Sequence, residues 1–271
     1  MNKEMIDKLK LTTNSPENMK YLFLNLKKLF PNYRKTPERF YNETFQFFNK
    51  STYITLSTKP IHSNMAQLTI EFNPTKFNSK KELDLLLHDI SSYTLSRIDH
   101  KADIDFNFHD FINKVRVLHK NKRSDYQYKS RLTGVEYGKG KEVLCIYDKA
   151  FEKQKKNYKL IKNINEIGSS SRVELRQYHH KIPFRNYLDL EEYLNFNPFE
   201  KIQTLDIKDD LLEKEVLSYY LNVSSTLQGL IRSLSKSNNF PKLKDKYFIE
   251  NNLKQDLLNN YHEGLSKFLD S

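Results

Sequence analysis

The stretch Arg97-Ile98-Asp99-His100-Lys101-Ala102-Asp103-Ile104-Asp105 constrains this chain more than any other. Read as a strand, it puts Arg97, Asp99, Lys101, Asp103 and Asp105 on one face, because successive side chains of a strand point to opposite sides. Three carboxylates on one face repel one another unless cations stand among them. Two resolutions are open. One is a divalent metal with oxygen ligands; the other is a solvated face on which Arg97 and Lys101 serve as internal partners. Two further segments share the period. In residues 143–149, Val143, Cys145, Tyr147 and Lys149 lie on one face. Tyr147, one of 17 tyrosines, reads first as a packed aromatic and only second as a nucleophile at a strand's end. In residues 171–176, Arg172, Glu174 and Arg176 oppose Val173 and Leu175. That face is either a structural ion-pair ladder, or a place where Glu174 completes a metal site and the arginines grip phosphate with their planar forks. His179 and His180 are adjacent, so a strand turns them to opposite sides and they do not make a metal pair.

The remainder of the chain predicts an α+β fold. Its centre is a largely antiparallel sheet flanked by helices, and its C-terminal region is helical. Residues 1–50 read as helical, with start signals at Ser15-Pro16 and Thr36-Pro37. Residues 52–57 and 67–73 alternate like strands, Asn78-Ser79 caps a helix, and 93–106 is strand-like. A short helix is expected over 110–118, and a basic loop or hairpin arm over 119–131. Strands at 134–137 and 142–148 meet at Gly138-Lys139-Gly140-Lys141, a hairpin turn. From about residue 185 the signals are helical, notably at 211–234 and 254–269. The expected division is an α+β domain over 1–205 and a helical region over 206–271.

Charge narrows the partners. Forty-five Lys and Arg against 34 Asp and Glu leave a formal charge of +11, which favours a polyanion: nucleic acid or an anionic membrane surface. The apolar runs are too short to span a bilayer, and residues 1–4 lack a signal peptide's apolar core, so no membrane partner is expected. The single Cys145 excludes an intramolecular disulfide framework and a thiolate-rich metal site. A reducing, cytoplasmic setting fits.

Taken together, Arg97-x-Asp99-x-x-x-Asp103, then Ile146-Tyr147-Asp148-Lys149 with Glu152, then Arg172-Val173-Glu174-Leu175-Arg176 resemble the rolling-circle replication initiators of small plasmids. The likeness is to the Rep_trans and replication initiation factor group, with relatives among conjugative relaxases, and it spans residues 94–190. The chain departs from the group's pattern at His100 and Lys101, where an apolar and a small residue are usual. The resemblance implies a nickase that cuts one strand of origin DNA through a phosphotyrosine and leaves a 3′-OH to prime synthesis. It implies Tyr147 as nucleophile, with Lys149, Arg172 and Arg176 on the phosphate. Asp99, Asp103 and Glu174 would hold Mg²⁺ or Mn²⁺. The implied partners are duplex and hairpin origin DNA and a host helicase. Lys120, Lys122, Arg123, Lys153, Lys155 and Lys156 are the candidate DNA contacts. Whether the C-terminal helices dimerise or bind DNA stays open, as does a non-catalytic DNA-binding role.

Overall fold

Alternation of apolar and charged residues does become strand. The computed structural model describes residues 6–15, 17–49, 52–77, 80–118, 122–156, 170–183, 196–224, 226–234 and 240–270. The first elements are β1 (Ile6–Thr13), α1 (Glu17–Leu29), β2 (Asn32–Lys35), β3 (Tyr41–Phe48), β4 (Tyr53–Pro60), β5 (Leu68–Phe72) and α2 (Lys80–Ile90). Next come β6 (Thr94–Ile104), α3 (Phe108–Ile112), β7 (Val115–Val117), β8 (Arg123–Tyr128), β9 (Arg131–Gly138), β10 (Glu142–Asp148), α4 (Lys149–Lys156) and β11 (Ser171–Pro183). The rest are β12 (Ile202–Ile207), α5 (Lys214–Ser224), α6 (Leu227–Leu234), α7 (Phe240–Tyr247), β13 (Phe248–Glu250) and α8 (Leu253–Asp270).

Ten strands make one antiparallel sheet in the order β2-β3-β4-β5-β1-β6-β11-β10-β9-β8. A second sheet, β13-β12-β7, is small. The expected α+β class therefore holds, with helices packed on the large sheet and a mainly helical C-terminal region. The expected turn between β9 and β10 holds too. Gly138 and Gly140 sit at φ 98° and 82°, in the left-handed region that a side chain disfavours.

Three expectations need correction. Residues 1–50 are not all helical: among the described ones only 17–29 are, flanked by β1 and followed by β2 and β3. Leucine-rich composition misleads in β1, where Leu9 and Leu11 are buried two apart. Pro31 ends the first helical run, because proline lacks the N–H that a continuing helix needs. Phe45 and Phe47 then pair across to Leu56 and Ile54. The helix expected over 110–118 closes at Ile112, and residues 115–117 become β7 because they find a partner in β12. The stretch after 185 is not purely helical, since β12 and β13 lie within it. β13 has only three residues, and the apolar residues of β12 (Ile202, Leu205, Ile207) do not alternate strictly. The cap at Asn78-Ser79 lies outside the described residues.

The main core is one face of the large sheet closed by helices, chiefly α1, α2 and α8. Leu22, Leu26 and Phe30 enter it at four-residue spacing from α1 and the residue after it, Leu83, Leu86 and Ile90 from α2, and Leu257 and Tyr261 from α8. A boundary at 205/206 falls inside β12, and α8 reaches back to the sheet. A smaller cluster gathers Leu205, Leu227, Leu230, Ile231 and Phe248. No helix among the described residues is long and apolar enough to cross a membrane.

One polar contact inside this core has a measurable consequence. His100 points from β6 into the apolar side, fully buried, with its Nδ1 2.9 Å from the Tyr261 hydroxyl. Burial pushes its pKa from 6.5 down to about 3. The unfolded chain takes up this proton below about 6.5 and the folded chain does not, so stability is complete above 6.5 and drains as pH falls toward 3. By pH 5 the loss through His100 amounts to about 2 kcal/mol. Urea titrations should show it in the native chain, and His100→Gln should flatten that part of the profile. Identical profiles for the two proteins would rule the linkage out.

Candidate functional site

The opposite face of the same strands is charged, and strand register decides which groups meet. Across β6 and β11, Asp103 stands opposite Arg172, Lys101 opposite Glu174, and Asp99 opposite Arg176. Across β11 and β10, Arg172 meets Tyr147 and Glu174 meets Cys145. Across β10 and β9, Tyr147 meets Gly134 and Cys145 meets Glu136. Asp99, Asp103, Tyr147, Glu174, Arg172 and Arg176 thus share one face, as their spacing predicts. Asp105 does not join them; it is exposed, one residue past the end of β6.

Tyr147 is the centre of this face. Its hydroxyl donates to Glu174 Oε2 at 3.1 Å, while its ring stays half-buried. Burial and then the Glu174 carboxylate push its pKa well above the ordinary tyrosine value, and Arg172 opposes them only in part. The phenol is therefore neutral at rest and can lose its proton only to a base already touching it. Two neighbours shape the position. Gly134 leaves the room Tyr147 needs, since a Cβ there would lie 3.0 Å from Tyr147 Cβ and 3.5 Å from the Tyr126 ring. Asp148 ends the strand by accepting from the Phe151 N–H at 2.8 Å, capping α4, and it takes Arg131 Nη2 at 2.8 Å. Lys149 consequently starts a helix beside Tyr147, with its ammonium 2.6 Å from Glu152. Burial, then Arg172, lowers the Lys149 pKa.

The three carboxylates expected to hold metal are each held by an arginine instead. Arg172 clamps Asp103, with Nε on Oδ1 and Nη2 2.7 Å from Oδ2. Arg97 clamps Asp99 at 2.7 and 2.6 Å. Arg176 donates to Glu174 Oε1 at 2.6 Å and stands 3.6 Å from Glu136. Among the described residues no three Asp, Glu, His or Cys groups converge as ligands would. The donor set does not fit Mg²⁺ or Mn²⁺ as it stands, because the oxygens of Asp99 and Asp103 and Glu174 Oε1 already face guanidinium groups and Glu174 Oε2 faces the Tyr147 hydroxyl. Burial leaves the Asp99 pKa raised, with Arg97 pulling the other way.

Of the candidate DNA contacts, Lys122 is exposed. Arg123 is committed to a fork on Asp125 at 2.6 and 2.9 Å and to the Thr226 hydroxyl at 2.7 Å, so it is less free to meet phosphate than its place in a basic stretch implies. Lys120 lies outside the described residues. Lys153, Lys155 and Lys156 fall in α4, and their side chains lie outside the description.

Sequence reasoning missed Asp7 and Glu136, and it offered Lys101 only as an internal partner of the acidic face. Asp7 was hidden because β1 reads as helix from its leucines; the alternation of Lys8, Leu9, Lys10 and Leu11 was the available signal. A register shift between Ile6 and Lys8 then carries Asp7 onto the charged side. No sequence signal singles out Glu136, which reaches the site by pairing with Cys145. Compared with known protein families and with curated proteins, the chain matches none.

Proposed function

We propose that this chain is a replication initiation protein that nicks one strand of origin DNA through Tyr147. The observation that carries the reading is the Tyr147–Glu174 hydrogen bond on a face where Arg172 and Arg176 flank the carboxylate. A nucleophile, a base in contact with it and fork-shaped donors for a phosphate occupy one surface of a basic chain. In the reaction, Glu174 takes the phenol proton as the Tyr147 oxygen attacks phosphorus. The bond from phosphorus to the 3′ oxygen breaks, and Lys149, whose ammonium burial makes a readier donor, protonates the departing oxygen. The products are a 5′-phosphotyrosyl link and a free 3′-OH. Arg172 and Arg176 meet the charge on the non-bridging oxygens.

The test is to incubate the protein with supercoiled DNA carrying its own coding sequence and flanks, with and without divalent cation. Open circles with protein attached through SDS treatment support the reading. Circles that stay supercoiled under both conditions overturn it. One observation favours a second reading, a DNA-binding initiator or regulator without chemistry: Asp99, Asp103 and Glu174 are each already matched to an arginine. That reading expects tight, salt-sensitive DNA binding and no covalent adduct. A conjugative relaxase of the same kind would give the adduct, differing only in the DNA it serves.

A further inference from the structure

Lys101 is the most deeply placed charge on the site face. It is 0% exposed. Its ammonium is ion-paired with Asp7, its register partner across the sheet is Glu174, and Asp99 and Asp103 lie two residues to either side on the same face of β6. Arg172, itself buried, stands 3.9 Å from Asp7 and clamps Asp103. The local count is balanced: Asp7, Asp99, Asp103 and Glu174 against Arg97, Lys101, Arg172 and Arg176. A buried ammonium costs desolvation free energy and is kept only where anions surround it.

We infer that Lys101 is a built-in cation: its ammonium, ion-paired with Asp7 and two residues from Asp103 on the same face, supplies together with Arg172 the positive charge that a divalent ion would otherwise bring, so that the site works without metal. Lys101 acts through these carboxylates, holding Asp7 and, with Arg172, balancing Asp103, and so is a positioning residue. The geometry explains why three carboxylates can share one face without a metal. A fixed charge carried on a strand stays in register with Glu174 whatever the cation concentration. Burial and then Arg172 lower the Lys101 pKa, while Asp7 and Asp103 support the charged form. Asp7 answers in kind: burial raises its pKa, but Lys101 and then Arg172 outweigh that and leave it lowered.

Two variants separate this from a merely structural lysine. Lys101→Ser removes the charge and opens space beside Asp7; Lys101→Met removes the charge and fills the space. The probe is Mn²⁺, followed by electron paramagnetic resonance and by thermal melting. The wild-type protein should hold no tightly bound Mn²⁺. Lys101→Ser should take up one equivalent, with its melting temperature recovering toward wild type, and Lys101→Met should do neither. If Lys101→Ser fails to fold in EDTA, refolding in Mn²⁺ supports the inference and failure to refold in both overturns it. A folded Lys101→Ser that binds no Mn²⁺, or a wild-type protein that binds one, overturns it as well. The activity arm alone rests on the nicking reading: the wild-type chain should nick equally in EDTA and Mg²⁺, and Lys101→Ser only with Mn²⁺. Should nothing nick under any condition, the proposed function falls, while the Mn²⁺ measurement still decides the role of Lys101.

Discussion

If the chain nicks DNA as proposed, Tyr147→Phe should abolish the covalent protein–DNA adduct while DNA binding stays within about twofold of wild type. Phenylalanine keeps the ring between Gly134 and β11 and removes only the oxygen that would attack. Loss of a nucleophile acting together with its base lowers turnover by on the order of 10⁴-fold or more, which puts the adduct below detection. The hydroxyl's bond to Glu174 is also lost, at a cost of about 1–2 kcal/mol, small enough for the protein to stay folded. Mass spectrometry of nuclease-trimmed adduct should place the nucleotide on Tyr147. Two other tyrosines of this region make the assignment sharp. Tyr137 is fully buried and points to the core face, so it cannot reach DNA. Tyr126 lies on the site face, exposed, with its hydroxyl 2.8 Å from Glu136 and a pKa pushed up to about 12, first by that bond. An adduct on Tyr126 that persists in Tyr147→Phe would move the nucleophile one strand pair toward the sheet edge.

Arg172→Ala should be the most destabilising change on the site face. The side chain is buried and joins three elements: one guanidinium edge, Nε and Nη2, holds Asp103 of β6, Nη1 lies 3.9 Å from Asp7 of β1, and Tyr147 of β10 is its register partner. Removing it leaves Asp103 and Asp7 with fewer counter-charges in a poorly solvated place. Breaking a buried pair by deleting one partner costs about 3–5 kcal/mol. Because Asp103 and Asp7 each keep some exposure, about 2–4 kcal/mol is expected here. Arg172→Ala/Asp103→Ala should recover part of the loss, with a coupling of roughly 1–3 kcal/mol in urea unfolding. A single variant within about 0.5 kcal/mol of wild type, or a double variant costing the sum of the two singles, would show that the pair is solvated and structurally idle. The contribution of Arg172 to the fold thus stands apart from the phosphate contact proposed for it. Rates of an Arg172 variant need reading beside its stability.

Much of the site face could be read directly. Period-two alternation over 97–104, 143–147 and 172–176 fixes strand, face and neighbours within a strand, because a side chain in a pleated strand has only two directions. It put Asp99 with Asp103, and Arg172 with Glu174 and Arg176, on one face of their strands; that these strands meet at Tyr147 was an expectation joined to the family resemblance. The same rule, missed under the leucines of 6–13, hid β1 and with it Asp7. Short strands such as β7 and β13 carry too few residues for a period and exist only because β12 offers them a partner.

What alternation could not decide is pairing across strands, since register is set by turns, bulges and the packing of the far face. The local order of residues leaves Asp103 equally ready for a metal, for Lys101 or for an arginine. The antiparallel register of β6 and β11 puts Arg172 opposite it and Lys101 opposite Glu174, and the shift in β1 brings Asp7 to Lys101. Composition and spacing determined that this chain has a charged sheet face with a tyrosine at a strand's end. Only the tertiary structure decided which charge neutralises which. Ion pairs between strands depend on distances of a few ångströms between residues up to 165 positions apart, as with Asp7 and Arg172, and nothing local in a sequence encodes those distances.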